Sequence, residues 1–181
     1  MSPLIRTLTR WRRRSRWHVA GTVIATLLMA VACLSAATFS AETASAASCG
    51  TTNLALHQPT TASSVQGPSW PASSATDGNL TTRWSSAFAD PQWLQVDLGT
   101  TQPVCQVVIH WENAYAKAFQ IQTSNDAATW TTVYSTTAGT GGTQTIPLSG
   151  SGRYIRMYGT ARATQYGDSI YEFQVYAQNA G

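Results

Sequence analysis

The side chains able to do chemistry gather in a few short strings. Asp77-Gly78-Asn79 is a tight turn that can aim a carboxylate and carbonyls at one point. Thr82 follows with a hydroxyl and its own carbonyl, and Glu172 lies far along the chain. A hard cation such as Ca²⁺ takes about six to eight oxygens of this mixed kind. The string can therefore hold a metal, or it can be a plain turn. A second group is aromatic. Trp70 in Gly67-Pro68-Ser69-Trp70-Pro71, Phe88 in 85–90 and Tyr166 in 162–168 occupy polar stretches between apolar runs. Rings placed on loops can stack on the C–H faces of a polyhydroxyl ligand, while planar charged groups hydrogen-bond its hydroxyls. Covalent catalysis finds less support. From residue 47 onward the histidines are His57 and His110, there is no G-x-S-x-G element, and no spacing suggests a triad. Glycoside hydrolysis needs two carboxylates across a cleft. Glu112 with Asp168 is an available pair, but the other acids lie mostly in turns and in the metal-like string. A non-catalytic chain is expected.

The charge distribution narrows the partners. The 181 residues carry a formal charge of +3, yet Arg6, Arg10, Arg12, Arg13, Arg14 and Arg16 supply much of it. From residue 47 onward five basic side chains face seven acidic ones, a net of −2. Nucleic-acid binding rests on Lys and Arg neutralising phosphates and is not expected. The basic start, the uncharged run over 19–41 and Ala44-Ser45-Ala46 follow the order of a secretory signal peptide. We expect residues 1–46 to be a signal, Sec or twin-arginine, residues 47–52 a short leader, and the product extracellular. Two other readings stay open at this point. The run over 19–41 is long enough to span a bilayer uncleaved, and Ala30-Val31-Ala32-Cys33 is a weak lipidation site. Cleavage leaves Cys49 and Cys105. Two cysteines in an oxidising compartment suggest one disulfide, the alternative being two buried thiols. A bridge would close a loop of about 56 residues, worth ~4 kcal/mol through the unfolded state.

The elements that must position these groups read as strands. Runs rich in β-branched and aromatic residues at 93–98, 104–111, 118–123, 130–135, 144–146, 154–158 and 170–176, with weaker ones at 54–56 and 60–63, alternate with Gly-, Asn- and Asp-containing turns. No helical period is sustained from 53 to 176. Ile155 and Met157 share one face while Tyr154, Arg156 and Tyr158 share the other. The pattern implies an all-β sandwich or barrel around one core.

The same strings carry a family resemblance. Asn53-Leu54-Ala55, the segment from Ala75 to Trp84 and Pro91-Gln92-Trp93-Leu94-Gln95-Val96-Asp97-Leu98-Gly99 come first. Gln122-Thr123-Ser124-Asn125-Asp126 with Trp130, Arg153-Tyr154-Ile155-Arg156 and the segment from Ile170 to Tyr176 then follow in order. Residues 50–177 thereby resemble the discoidin (coagulation factor V/VIII, or F5/8, type C) domain, and within it the family-32 carbohydrate-binding modules. The resemblance implies a jelly-roll β-sandwich of about eight antiparallel strands over 53–178, with Trp84, Trp93 and Trp130 in fold motifs as core residues. Ala127 stands where the family's turn has glycine.

The resemblance also implies two sites. A structural calcium would be held by the Ser74 carbonyl, the Asp77 carboxylate, the Asn79 carbonyl, Thr82 through carbonyl and hydroxyl, the Tyr171 carbonyl and the Glu172 carboxylate. A turn buried against a metal would also make the Asn79-Leu80-Thr81 sequon a poor glycosylation acceptor. The strings Trp111-Glu112-Asn113-Ala114-Tyr115 and Arg162-Ala163-Thr164-Gln165-Tyr166-Gly167 look like a subgroup attached to chitosanases and β-1,3-glucanases. There the implied roles fall to Arg83 as donor to hydroxyls, held by Glu112, to Phe88 and Tyr166 as apolar faces, and to Glu112 as acceptor from hydroxyls or an ammonium. Gln66 is neutral where chitosan-binding relatives carry an acid, and Asp168 could restore that charge. Chitosan, β-1,3-glucan and galactosides are the implied ligands, with action beside secreted glycoside hydrolases and no membrane in the mature form. An adhesion domain without sugar specificity is the alternative.

Overall fold

The computed structural model describes residues 48–179. The expected signal, 1–46, lies outside the described residues. Seven strands form: β1 (Thr60–Ala62), β2 (Trp84–Ser85), β3 (Gln92–Trp111), β4 (Ala116–Ser124), β5 (Thr131–Thr136), β6 (Thr143–Arg162) and β7 (Ser169–Ala177), with a short 3-10 turn over Ala72–Ala75. All pairings are antiparallel, in the order β2-β7-β3-β6-β4-β5, with β1 also on β3.

The two 20-residue strands organise the sandwich. The first half of β3 pairs with β1 and the end of β6; its second half pairs with β7 and the start of β6. Each long strand thus serves both layers. The ladder of β3 breaks between Asp97 and Gln102, where Gly99 takes φ +80°, a conformation that costs a glycine little. Strict alternation then fixes the faces. Leu94 and Val96 point into the core, as do Val107, Ile109, Ile155 and Met157, all fully buried. Trp84, Phe119 and Phe173 fill the space between the layers.

The sandwich is the expected one, with differences of detail. The strands expected at 93–98 and 104–111 are continuous as β3, and those at 144–146 and 154–158 are continuous as β6. Residues 54–56 form a turn instead of a strand, because Asn53 Oδ1 accepts from the amides of both Ala55 (3.1 Å) and Val175 (3.0 Å). Trp84 is core. Trp93 and Trp130 are not: both are half-exposed. Trp93 shares the outward face with Gln95 and Asp97, and Trp130 covers the Arg156 guanidinium at 4.0 Å. Cys49 and Cys105 form the expected disulfide, 56 residues apart. It joins the start of the domain, where Cys49 bridges to Gln178, to β3. Ala127 takes φ +58° in its turn, held by Asp126 Oδ1, which accepts from the amides of Ala128 (2.9 Å) and Thr129 (2.7 Å).

Candidate functional site

The loop between β2 and β3 and the loop between β6 and β7 pack side by side. Ser86 N donates to Asp168 O at 2.9 Å, and Asp168 N donates to Ser86 Oγ at 2.9 Å. Gly167 has no room for a side chain, since a Cβ there would meet Ser86 O and Ala87 O. This close approach brings Phe88 and Tyr166 together edge to face, with centroids 5.6 Å apart and planes at 77°. The rings are 49% and 52% exposed. Apolar rings left open to water offer stacking surface.

These rings form one wall of a cleft of about 390 Å³, completed by Gln66, Arg83, Ser85, Glu112, Asn113, Ala114 and Thr164. The Arg83 guanidinium lies over the Trp70 ring at 5.4 Å. Its Nε is buried and has no hydrogen-bond partner. The guanidinium as a whole is partly exposed and lines the cleft, so its open edge can donate to an acceptor placed there. Gln66 is anchored through its backbone to Ser85 O (2.7 Å), and its side-chain Oε1 accepts from Ser85 Oγ (2.8 Å). The anticipated Arg83–Glu112 pair is not formed. Among the described residues the ion pairs are Arg153–Asp97 and Arg162–Asp90. Glu112 Oε2 instead accepts from Ala114 N at 3.0 Å, closing the turn after β3.

Five expected ligand-binding residues, Gln66, Arg83, Phe88, Glu112 and Tyr166, therefore line one cleft. Asp168 does not. Its side chain is fully buried, and it occupies the space over Gly159 where a Cβ would otherwise sit. It cannot touch a ligand or restore charge to the cleft. The backbone bonds to Ser86 and the absence of a side chain at Gly159 turn it inward. Burial, followed by the repulsion of Asp90, pushes its carboxyl up to about 7, against the pull of Arg162. Ser85, Asn113, Ala114 and Thr164 are cleft residues that had no role in the reading of the sequence, and Trp70 acts as a support for Arg83.

The metal-like string is brought together in part. Asp77 Oδ1 accepts from Asn79 N (2.9 Å), and Asp77 Oδ2 from Thr82 Oγ1 (2.7 Å). Glu172, on β7, reaches across to accept from Gly78 N at 2.7 Å. Ser74 sits in the 3-10 turn that packs against β7, and Tyr171 adjoins Glu172. Glu172 is 1% exposed, and its Oε2 is buried without a partner. Burial first, with Asp77 nearby adding to it against the Gly78 and Asn79 amides, pushes its carboxyl up to about 7. Among the described residues no three His, Cys, Asp or Glu side chains converge. The string offers two carboxylates, a hydroxyl and carbonyls, a donor set that suits a hard cation. The orphaned Glu172 oxygen beside Asp77 is a place where a cation would fit.

A family model described as F5/8 type C domain matches residues 59–173. The chain belongs to this family. Among solved structures it is similar to chitosan-binding module 1 of a chitosanase/glucanase from Paenibacillus sp. IK-5, at 49% identity and a TM-score of 0.68, covering 70% of this chain and 99% of that one. Module 2 of the same enzyme, solved in complex with chitotriose, is 46% identical with a TM-score of 0.67, covering 69% and 100%. A polysaccharide lyase 8 family protein, HylA, from Enterococcus faecalis is 28% identical over 156 residues, 76% of this chain. The chain spans only 11% of that relative's length.

Proposed function

We propose that this F5/8 type C domain is a secreted, non-catalytic carbohydrate-binding module that takes a chitosan-type oligosaccharide in the cleft of Arg83, Phe88, Glu112 and Tyr166. The observation that carries this reading is the pairing of two open rings with a partly exposed guanidinium that lines the same cleft. A sugar ring stacks on Phe88 and Tyr166, and its hydroxyls accept from Arg83. Glu112 is the cleft's one carboxylate among the described residues, and it accepts from the ligand's ammonium. The likeness to two chitosan-binding modules at 46–49% identity supports the amino-sugar choice. Asp168 is buried away from the cleft, so the carboxylate pair that glycoside hydrolysis needs is not assembled there. An open cleft buries little of a sugar, so the affinity is modest.

A neutral β-1,3-glucan is the second reading. It is favoured by Gln66, which puts an amide where an acid would reinforce recognition of an ammonium. The same proposal includes a structural calcium held by Asp77, Thr82, Glu172 and the carbonyls of Ser74, Asn79 and Tyr171. Bound there, it would supply charge compensation to the two carboxylates and fix the turn to β7. Secretion, with action beside extracellular glycoside hydrolases, completes the proposal.

Arg83→Ala and Tyr166→Ala test the site. Retention of each variant on insoluble chitosan is measured against the unaltered protein. Arg83→Ala is expected to weaken binding at least tenfold, since a charged hydrogen bond contributes about 1.5–3 kcal/mol, and Tyr166→Ala severalfold, since an aromatic contact contributes about 0.5–1.5 kcal/mol. Unchanged retention of both places the site elsewhere.

A further inference from the structure

Behind the Phe88–Tyr166 pair lies a charged group that touches no ligand. Arg162, at the end of β6, sets its Nε 3.2 Å from Asp90 Oδ2 on the facing loop, an ion-pair contact without hydrogen-bond alignment that leaves the buried Nε unpartnered among the described residues. One of its terminal nitrogens donates to Gln165 O (3.2 Å) and Tyr166 O (3.4 Å). Arg162 thus hydrogen-bonds the backbone of Tyr166 with one edge and attracts the loop that carries Phe88 through charge alone with another. Asp168 lies beneath, fully buried, with both carboxylate oxygens lacking a partner. The charges acting on it come from the two loops that pack there: Asp90, which repels its ionised form, and Arg162, which attracts it. The elements beneath contribute Gly159 of β6 and Ala116 of β4, which bear no charge.

The charge of one guanidinium therefore acts on two carboxyl groups, Asp90 in an ion pair and Asp168 across the packed loops. We propose that Asp168 and Arg162 are positioning residues of the cleft: with Asp168 protonated, Arg162 stays on Asp90 and the loops hold Phe88 against Tyr166, and when Asp168 ionises it draws Arg162 away and the clasp loosens. The consequence for ligand binding rests on the cleft reading given above; the clasp itself does not. An ionised Asp168 would be a buried charge whose partner is already engaged. Capturing Arg162 relieves that, and it costs the Asp90 contact together with the grip on the Tyr166 carbonyl. Affinity then falls as the pH rises through neutrality.

The test begins without sugar. The purified protein is titrated from pH 5 to pH 9 by NMR, following the Asp168 carboxyl carbon and the Phe88, Tyr166 and Arg162 amides. The amides are expected to move with the Asp168 midpoint, which lies near neutrality, and to stay flat in Asp168→Asn. Asp90→Asn gives a second handle should Asp168→Asn fold poorly. Removing the repelling charge and freeing Arg162 is expected to lower the Asp168 midpoint. Chitotriose is then titrated at pH 6 and pH 8.5, and the weakening in the unaltered protein is expected to exceed that in Asp168→Asn by at least threefold. The comparison cancels the ligand's own amine titration. An Asp168 midpoint in the ordinary carboxylate range overturns the proposal, as do loop amides that ignore that midpoint or an Asp168→Asn protein with the full pH response. Coupled titration without chitotriose binding at any pH supports the clasp and overturns the ligand reading instead.

Discussion

Arg83 depends on a neighbour that does not line the cleft. Trp70 lies 5.4 Å beneath its guanidinium and fixes where the unpaired Nε points. Such a contact contributes about 0.5–1 kcal/mol at a partly exposed site. Trp70→Ala is accordingly expected to weaken ligand binding about two- to fivefold while the melting temperature stays within a few degrees, read by calorimetric titration and scanning calorimetry together. A loss as large as that of Arg83→Ala would make Trp70 a direct contact. Several cleft side chains were legible because residue type and loop context coincide: Phe88 and Tyr166 interrupt polar stretches with rings that no strand buries. Asp168 was misread for a physical reason. Its position beside Tyr166 in sequence says nothing about which way the chain turns, and the decision is made by Ser86 and Gly159, distant along the chain. The Arg162–Asp90 clasp joins the end of β6 to the loop between β2 and β3, and no local pattern announces it.

The 3-10 turn, the Asp77 loop and β7 form a unit held at its centre by Glu172. Removal of one buried partner leaves charge uncompensated, and a cation that binds only the folded state stabilises it by mass action, about 2.7 kcal/mol at 100 times the dissociation constant. Chelation is expected to lower the melting temperature by about 10 °C, and Glu172→Gln to abolish that response. No shift on chelation, with metal analysis also blank, contradicts the calcium proposal. Elements of this kind explain what could be read in advance. The alternation of Leu94, Val96 and Leu98 with Trp93, Gln95 and Asp97 fixed the layers, yet the same alternation turned Trp93 outward against its expected core role. The continuity of β3 and β6 was hidden because Gly99 and the Ser149–Gly152 stretch read as chain breaks, whereas the strands bend through them. β2 escaped notice because two residues carry no period.

Taken whole, the domain places two acids, Asp168 and Glu172, in surroundings that raise both toward neutrality. The sign of the effect follows from linkage. A carboxyl that ionises near 4 when unfolded and near 7 when folded binds its proton more tightly in the native state, so stability is greatest at low pH and is lost as pH rises to about 7. For Asp168 the loss is at most about 4 kcal/mol over that interval. In the presence of saturating calcium, denaturant unfolding is expected to show greater stability at pH 5 than at pH 7.5, and Asp168→Asn is expected to flatten most of that slope. An unaltered slope in the variant would mean that other groups set it.

We propose that the Arg83–Phe88–Tyr166 cleft binds an amino-sugar oligosaccharide. Isothermal titration of the calcium-loaded protein with chitotriose at pH 6, run beside laminaritriose and galactose, tests it most directly. On this reading one site per chain is expected for chitotriose, with weaker or absent heat for the neutral sugars and loss of the chitotriose signal in Arg83→Ala. Equal binding of all three, or binding of none by a folded protein, would contradict it.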